Sequence, residues 1–277
     1  MRLHTRVQGS GFPMLCLHGH PGSGQSMAVF TDALSNQLKT IAPDLRGYGR
    51  SQTRQPFEMA AHLEDLVELL DTHGVDQCWV LGWSLGGILA MEMALQYPER
   101  VRGLILVATA AHPRGNHPPV TWLDNLNTGI ASLLNRAVPG HPWVIKTFGQ
   151  RSLYRYLIQQ HTPYAYRQLA TAALPAYLQT SRQATQALYG ALRAGYNRLP
   201  QVRALTMPCL MLCGDSDRHI TSEASVETAE TLPRCDLRRY PQVAHLFPWE
   251  IPDQVLADIQ SWLKQNPPHD LQSSRRR

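Results

Sequence analysis

Apolar positions along the chain switch between two periods, and the switching predicts an α/β protein. Short apolar runs bounded by turn residues have the length and flanks of strands: "RLHTRV" at 2–7, "MLCLHG" at 14–19, "TIAPD" at 40–44, "CWVLGWS" at 78–84 and "VRGLILVAT" at 101–109. Helical patterns stand between them. In "EMAAHLEDLVELLDTHG" Leu63, Leu66, Val67 and Leu70 recur at 3-4 spacing and Gly74 closes the segment, while "GGILAMEMALQYP" predicts a helix stopped at Pro98. Strands alternating with helices imply a largely parallel sheet covered on both faces.

The alternation stops at 112 and resumes at 204. Residues 112–203 begin with prolines, carry aromatic-rich helical patches such as "RSLYRYLIQQ", and contain no strand-like run. On that patch Arg151 and Arg155 are expected to share one helical face, and Tyr154, Leu157 and Ile158 another. "PCLMLCG", a helix around "SEASVETAETL", the strand "CDLRRYP" and the helix "PDQVLADIQSWLKQ" then complete the α/β pattern. The expected organisation is one core built from 1–111 and 204–277, interrupted by a helical cap at 112–203. The polar end from about residue 266, "NPPHDLQSSRRR", is expected to be disordered.

Composition changes this picture little. With 277 residues, 43% hydrophobic and 17% charged, the chain is an ordinary globular protein able to bury its own core. Its longest apolar run, "GLILVATAA", is far below the roughly 18 residues that span a bilayer, and no basic stretch followed by a long apolar run opens it, so a cytoplasmic protein with no membrane span is expected. Cys16, Cys78, Cys209, Cys213 and Cys235 are odd in number and lack metal-ligand spacing, which predicts reduced thiols. Of the twelve histidines, His18, His20, His112, His117, His141 and His161 form no metal-ligand pattern such as H-E-x-x-H, and no metal or organic cofactor is expected.

Candidate chemistry centres on "GWSLGG". A nucleophile on a sharp strand-to-helix turn needs small neighbours two positions either side, and Gly82 and Gly86 supply them around Ser84. Because a serine hydroxyl is a weak nucleophile, it requires a histidine base oriented by a carboxylate, in the chain order serine, acid, histidine. Asp217 follows the strand "PCLMLCG" and His245 follows "CDLRRYP", both at strand ends, where the loops of a parallel sheet converge. Asp215 remains a competitor for the acid. His219 ranks below His245, because a histidine on the acid's own short loop can hardly reach a distant serine. Backbone N–H groups of Leu85 and His20, the latter in the glycine-rich loop "LHGHPGSG", are the expected oxyanion donors.

In that order "HGHPGSG", "PDLRGYGRS", "GWSLGG", "GDSD" and "AHLFPWEIP" resemble the α/β-hydrolase superfamily along nearly the whole chain. The resemblance implies an eight-stranded fold with a helical cap after the sixth strand, and Ser84, Asp217 and His245 as triad. Here about seven strands are expected, the family's first edge strand being absent. Asp44 and Arg46 of "PDLRGYGRS" are structural in that reading. A serine in place of an aspartate nucleophile argues against the haloalkane dehalogenase and epoxide hydrolase branches. Carboxylic ester hydrolysis is the default expectation; C–C bond hydrolases and cofactor-free haloperoxidases share the triad and stay as alternatives, as does a non-catalytic ligand-binding module. The elbow is most similar to pimeloyl-acyl carrier protein methyl ester esterases.

Charge adds one expectation about partners. Residues 112–203 hold nine arginines and one lysine against the single acid Asp124, a net +9 in a chain of +5, so the remainder carries −4. Such a field steers an anionic substrate or an acidic carrier protein toward the pocket mouth, or is simply a solvated surface. No recognised motif accompanies the charge, and no nucleic-acid partner is expected. The aromatics of this region, Trp122, Trp143, Phe148, Tyr154, Tyr156, Tyr164 and Tyr177, suggest an apolar substrate pocket, and packing between helices explains most of them equally well.

Overall fold

The structure, a computed structural model, describes residues 1–268. The first part of the chain forms β1 (Thr5–Gln8), β2 (Pro13–Leu17), α1 (Ala28–Leu34), β3 (Lys39–Pro43), α2 (Ala60–Thr72), β4 (Cys78–Trp83), α3 (Leu85–Gln96) and β5 (Val101–Val107). The helices α4 (Trp122–Ala137), α5 (Pro142–Thr147), α6 (Tyr154–Leu157), α7 (Pro163–Gln168), α8 (Leu174–Leu178), α9 (Arg182–Arg193) and α10 (Leu199–Val202) follow without a strand. Then come β6 (Cys209–Gly214), α11 (Ser222–Thr231), β7 (Cys235–Tyr240), α12 (Phe247–Glu250) and α13 (Pro252–Gln265).

The seven strands form one sheet in the order β1-β3-β2-β4-β5-β6-β7. β1 runs antiparallel to β3, with Thr5 opposite Pro43, and the other pairings are parallel. Central strands buried on both faces read as continuous apolar runs, which is why "CWVLGW" and "LMLC" lack polar alternation. Val80, Leu104 and Leu106 pack on one side with Leu63, Leu66 and Leu89 of α2 and α3. Trp79, Leu81, Ile105 and Val107 face the other side, with Phe30 of α1 and Ile259 and Trp262 of α13. Each such aliphatic side chain, fully buried, stabilises the fold by about 1.5–3 kcal/mol.

Two expectations change. "RSLYRYLIQQ" is no continuous helix: Ser152 is extended, its hydroxyl donates to Gly149 O (2.6 Å) and accepts from Tyr154 N–H (3.1 Å), so only the turn α6 forms after it. Arg151 and Arg155 therefore stand on different elements. The chain end expected to be disordered begins in place, with Arg102 Nη2 donating to Pro267 O at 3.0 Å; its residues from 269 on lie outside the described part.

Candidate active site

Ser84 ends β4 and precedes α3, and the junction holds it at φ 54°, ψ −115°, a backbone region that L-residues rarely adopt. The turn is held by Ser84 N–H donating to Val107 O (2.9 Å) and by Thr109 Oγ1 donating to Ser84 O (2.8 Å). The flanking glycines are required by space. A Cβ on Gly82 would stand 2.2 Å from Gly86 O, and one on Gly86 only 2.0 Å from Leu17 O.

The β6 and β7 ends bring the other two side chains to the serine. His245 Nε2 lies 3.2 Å from Ser84 Oγ, and His245 Nδ1 lies 2.7 Å from Asp217 Oδ2. Asp217 Oδ1 accepts the N–H groups of His219 (2.8 Å) and Ile220 (3.1 Å), so both carboxylate oxygens are engaged. All three residues are buried, which strengthens each of these charge-assisted contacts. With Nδ1–H directed at the carboxylate, Nε2 is left as the acceptor for the serine hydroxyl.

The rivals are placed elsewhere. Asp215 turns to Arg239, whose Nε donates to it at 2.9 Å, and to the Ser222 hydroxyl at 3.4 Å. His219 makes no bond to Ser84; its ring packs edge-on against His245, centroids 4.6 Å apart, and stacks on His117 at 5.9 Å. Burial, reinforced by neighbouring histidines, pushes its pKa well below the usual value and keeps it neutral. It packs against His245 without reaching Ser84.

The loop after β2 passes beside the serine, since a Cβ on Gly19 would stand 3.1 Å from Ser84 Cβ. His18, fully buried, fixes this loop: Nδ1 lies 2.8 Å from Gly19 O and Nε2 accepts Leu45 N–H at 3.0 Å. One donating and one accepting nitrogen define a neutral imidazole, and burial lowers the His18 pKa to about 4. The His20 ring contacts Tyr48 Oη at 2.9 Å, leaving its backbone N–H, like that of Leu85, without a protein acceptor among the described residues. Asp44 holds backbone, accepting the N–H groups of Gly24 (2.7 Å) and Arg50 (2.8 Å), and Arg46 ties its loop to α2, its Nε donating to the Asp65 carboxylate at 2.7 Å.

Residues 112–203 meet all three loops of the site. The Tyr189 ring of α9 lies 5.8 Å from the His20 ring, and Tyr156 of α6 stacks on His117, which stacks on His219. Leu246 N–H donates to Leu157 O at 2.9 Å. The firmest tie is Glu250, which sequence reasoning did not single out. One carboxylate oxygen accepts Ala244 N–H (2.9 Å), beside the candidate base, and the other accepts Gln159 N–H (2.9 Å) and Gln160 N–H (2.5 Å). Its signal was present in "FPWEIP", where an acid inside an apolar run marks a buried, paired carboxylate. Burial raises its pKa even against three hydrogen bonds that lower it. The aromatics divide: Tyr154 and Tyr156 are buried, whereas Trp122, Trp143 and Tyr177 stand 72%, 58% and 66% exposed, so these three do not line a pocket as expected.

A profile of proteins with the alpha/beta hydrolase fold matches residues 13–252. The chain belongs to the α/β-hydrolase fold family. Its seven-stranded sheet, with the helical segment between β5 and β6, is that family's fold. Among its relatives, human epoxide hydrolase 4 is 27% identical over 97% of this chain and 73% of its own length. A pimeloyl-[acyl-carrier protein] methyl ester esterase from Vibrio vulnificus is 26% identical over 88% of this chain and 91% of its own. A thermophilic esterase from Thermogutta terrifontis superposes with a TM-score of 0.70 at 26% identity, covering 95% of this chain and 93% of that one. Relatives named as hydrolases and esterases make this α/β-hydrolase a hydrolase enzyme.

Proposed function

We propose that the chain hydrolyses a carboxylic ester through an acyl-enzyme formed on Ser84. The observation that carries this reading is the run of contacts from Ser84 Oγ to His245 Nε2 (3.2 Å) and from His245 Nδ1 to Asp217 (2.7 Å). Ser84 Oγ attacks the ester carbonyl while His245 takes its proton, and Asp217 holds the imidazole and the imidazolium that forms. The N–H groups of His20 and Leu85 face the developing oxyanion, each such donor contributing about 2.7–4 kcal/mol to the transition state. His245 then gives its proton to the departing alcohol. Water, deprotonated by the same histidine, attacks the acyl carbon, and as the acyl–Ser84 bond breaks His245 returns that proton to Ser84 Oγ and the acid is released.

Residues 112–203 act as a cap in this reading, supported by their ties to the His20, His219 and His245 loops. The net +9 of the cap favours an anionic ester or one borne by an acidic carrier protein, in line with the relative named for an acyl-carrier protein ester. Five free thiols fit a reducing compartment such as the cytoplasm. Among the described residues no helix is long and apolar enough to cross a membrane.

The test is Ser84→Ala assayed on a short-chain nitrophenyl ester, with a fluorophosphonate probe as a second readout. Hydrolysis and labelling should both vanish while the circular dichroism spectrum is unchanged. Retained turnover sinks the assignment, and a folded wild type that ignores both reagents favours a binding module. A panel of acyl esters, including carrier-linked methyl esters at low and high salt, reads the substrate class. Loss of rate with salt only for carrier-linked esters supports the finer reading.

A further inference from the structure

Helix α4 is turned inside out. At 100° per residue Trp122, Leu126 and Leu133 fall within an arc of about 40°, and that arc faces outward; the three are 72%, 49% and 67% exposed. The opposite arc holds Asp124, Ala131 and Asn135, all buried. Its polar groups are satisfied within the cap: Asp124 accepts the Thr121 N–H (2.8 Å), Asn135 Nδ2 donates to Ala131 O (2.7 Å), and Asn135 Oδ1 accepts Gly140 N–H (2.8 Å). Nearby Ser132 bonds the Tyr154 hydroxyl at 2.9 Å. The bonds that leave the helix, Ser132 to Tyr154, Leu153 N–H to Thr128 Oγ1 (3.1 Å) and Arg155 Nη2 to Asp124 (3.1 Å), fix its rotation, so the apolar arc cannot turn inward without breaking them. Of the twelve large apolar side chains exposed among the described residues, all but Val7 lie between 120 and 189. On α4 itself Trp122, Leu126 and Leu133 share one exposed arc, and a contiguous apolar face of this kind marks an interaction surface.

Charge decides the occupant. Arg136 is exposed on the last turn of α4, about 40° from the edge of the apolar arc, and Lys146 is exposed on α5, which follows it. The only acid in 112–203, Asp124, is buried and bound by Arg155 Nη2 at 3.1 Å. A second copy docking cap to cap would set cations against cations with no exposed carboxylate of the cap to pair them. An anionic occupant is required, and it must also accept apolar side chains standing on a convex helix. A lipid surface moulds to such a helix without a matching groove, with indoles at the headgroup boundary and cations on the phosphates.

We infer that the outward face of α4 docks this hydrolase on an anionic lipid surface. The apolar arc enters the headgroup–acyl boundary and Arg136 and Lys146 contact the lipid phosphates. Docking is independent of the triad.

The test is co-sedimentation of the full chain with vesicles of phosphatidylcholine, with and without phosphatidylglycerol, at low and high salt. Binding should require phosphatidylglycerol, weaken with salt, and persist in Ser84→Ala. The pair Arg136→Gln and Lys146→Gln should lose about fivefold in affinity per cation removed. The triple variant Trp122→Ser, Leu126→Ser, Leu133→Ser should lose binding altogether. Both variants should keep the wild-type unfolding midpoint and rate on a water-soluble ester, which separates lost docking from lost folding or lost chemistry. Binding that ignores phosphatidylglycerol, or that survives the triple variant, overturns the inference. So does absence of vesicle binding, whether the protein is monomeric, forms a dimer that the triple variant disperses, or is held through this face by an acidic carrier protein.

Discussion

Replacing Ser84 by glycine should make the protein more stable than replacing it by alanine, although both lose the proposed nucleophile. The two variants remove the same hydroxyl and the same contact with His245 Nε2. They differ in what a Cβ costs at φ 54°, ψ −115°. A non-glycine residue held there costs about 1–3 kcal/mol, and glycine gives back about 0.5–1 kcal/mol through the greater freedom of its unfolded chain. The net gain of Ser84→Gly over Ser84→Ala is about 1 kcal/mol, or about 2 °C in melting midpoint for a chain of this size. Thermal unfolding followed by circular dichroism at one scan rate measures it, beside nitrophenyl ester turnover. A glycine variant that melts at or below the alanine variant refutes the stored strain, and measurable turnover by either refutes the nucleophile.

Three further outcomes follow from the contacts. Asp217→Asn should lower kcat by about 10³–10⁴, while Asp215→Asn, which loses only the exposed Arg239 pair, should change activity less than twofold and stability by at most about 1 kcal/mol; the reverse order would reassign the acid. Glu250→Ala leaves the N–H groups of Ala244, Gln159 and Gln160 without their acceptor. It should cost about 3 kcal/mol in urea unfolding and lower kcat roughly tenfold or more, with Glu250→Gln less severe because one oxygen still accepts. His62 is buried with neither ring nitrogen bonded among the described residues, and burial lowers its pKa from 6.5 to about 4. The unfolded chain takes up that proton first, so stability is full above pH 6.5 and falls toward pH 4, by about 2 kcal/mol at pH 5 from this residue. In urea titrations at pH 7.5 and pH 5, His62→Phe should show a correspondingly smaller loss, and an unchanged loss would remove His62 from the account.

Much of the candidate site was legible because it is local. A glycine-flanked serine between an apolar run and a helical pattern describes a turn whose tight contacts, Gly86 against Leu17 O among them, arise between neighbouring elements of a parallel sheet. Strand ends were legible for the same reason, so Asp217 and His245 could be named from their positions after "PCLMLCG" and "CDLRRYP". The helical segment was less legible. Its break at Ser152 depends on one hydroxyl choosing a backbone partner, and propensity does not record that choice.

Period and turn chemistry in the sequence alone determined the α/β alternation, the insertion between β5 and β6, and the residue types on the converging loops, because each depends on spacing over a few residues. Only the tertiary structure set Asp217 rather than Asp215 against His245, brought Glu250 to both the histidine loop and the helical segment, set His219 beside His245, and turned Trp122, Leu126 and Leu133 outward. Those outcomes depend on which distant groups fill the remaining space and satisfy the remaining hydrogen bonds, and pairs such as His245 with Ser84, 161 residues apart, leave no local trace in the chain.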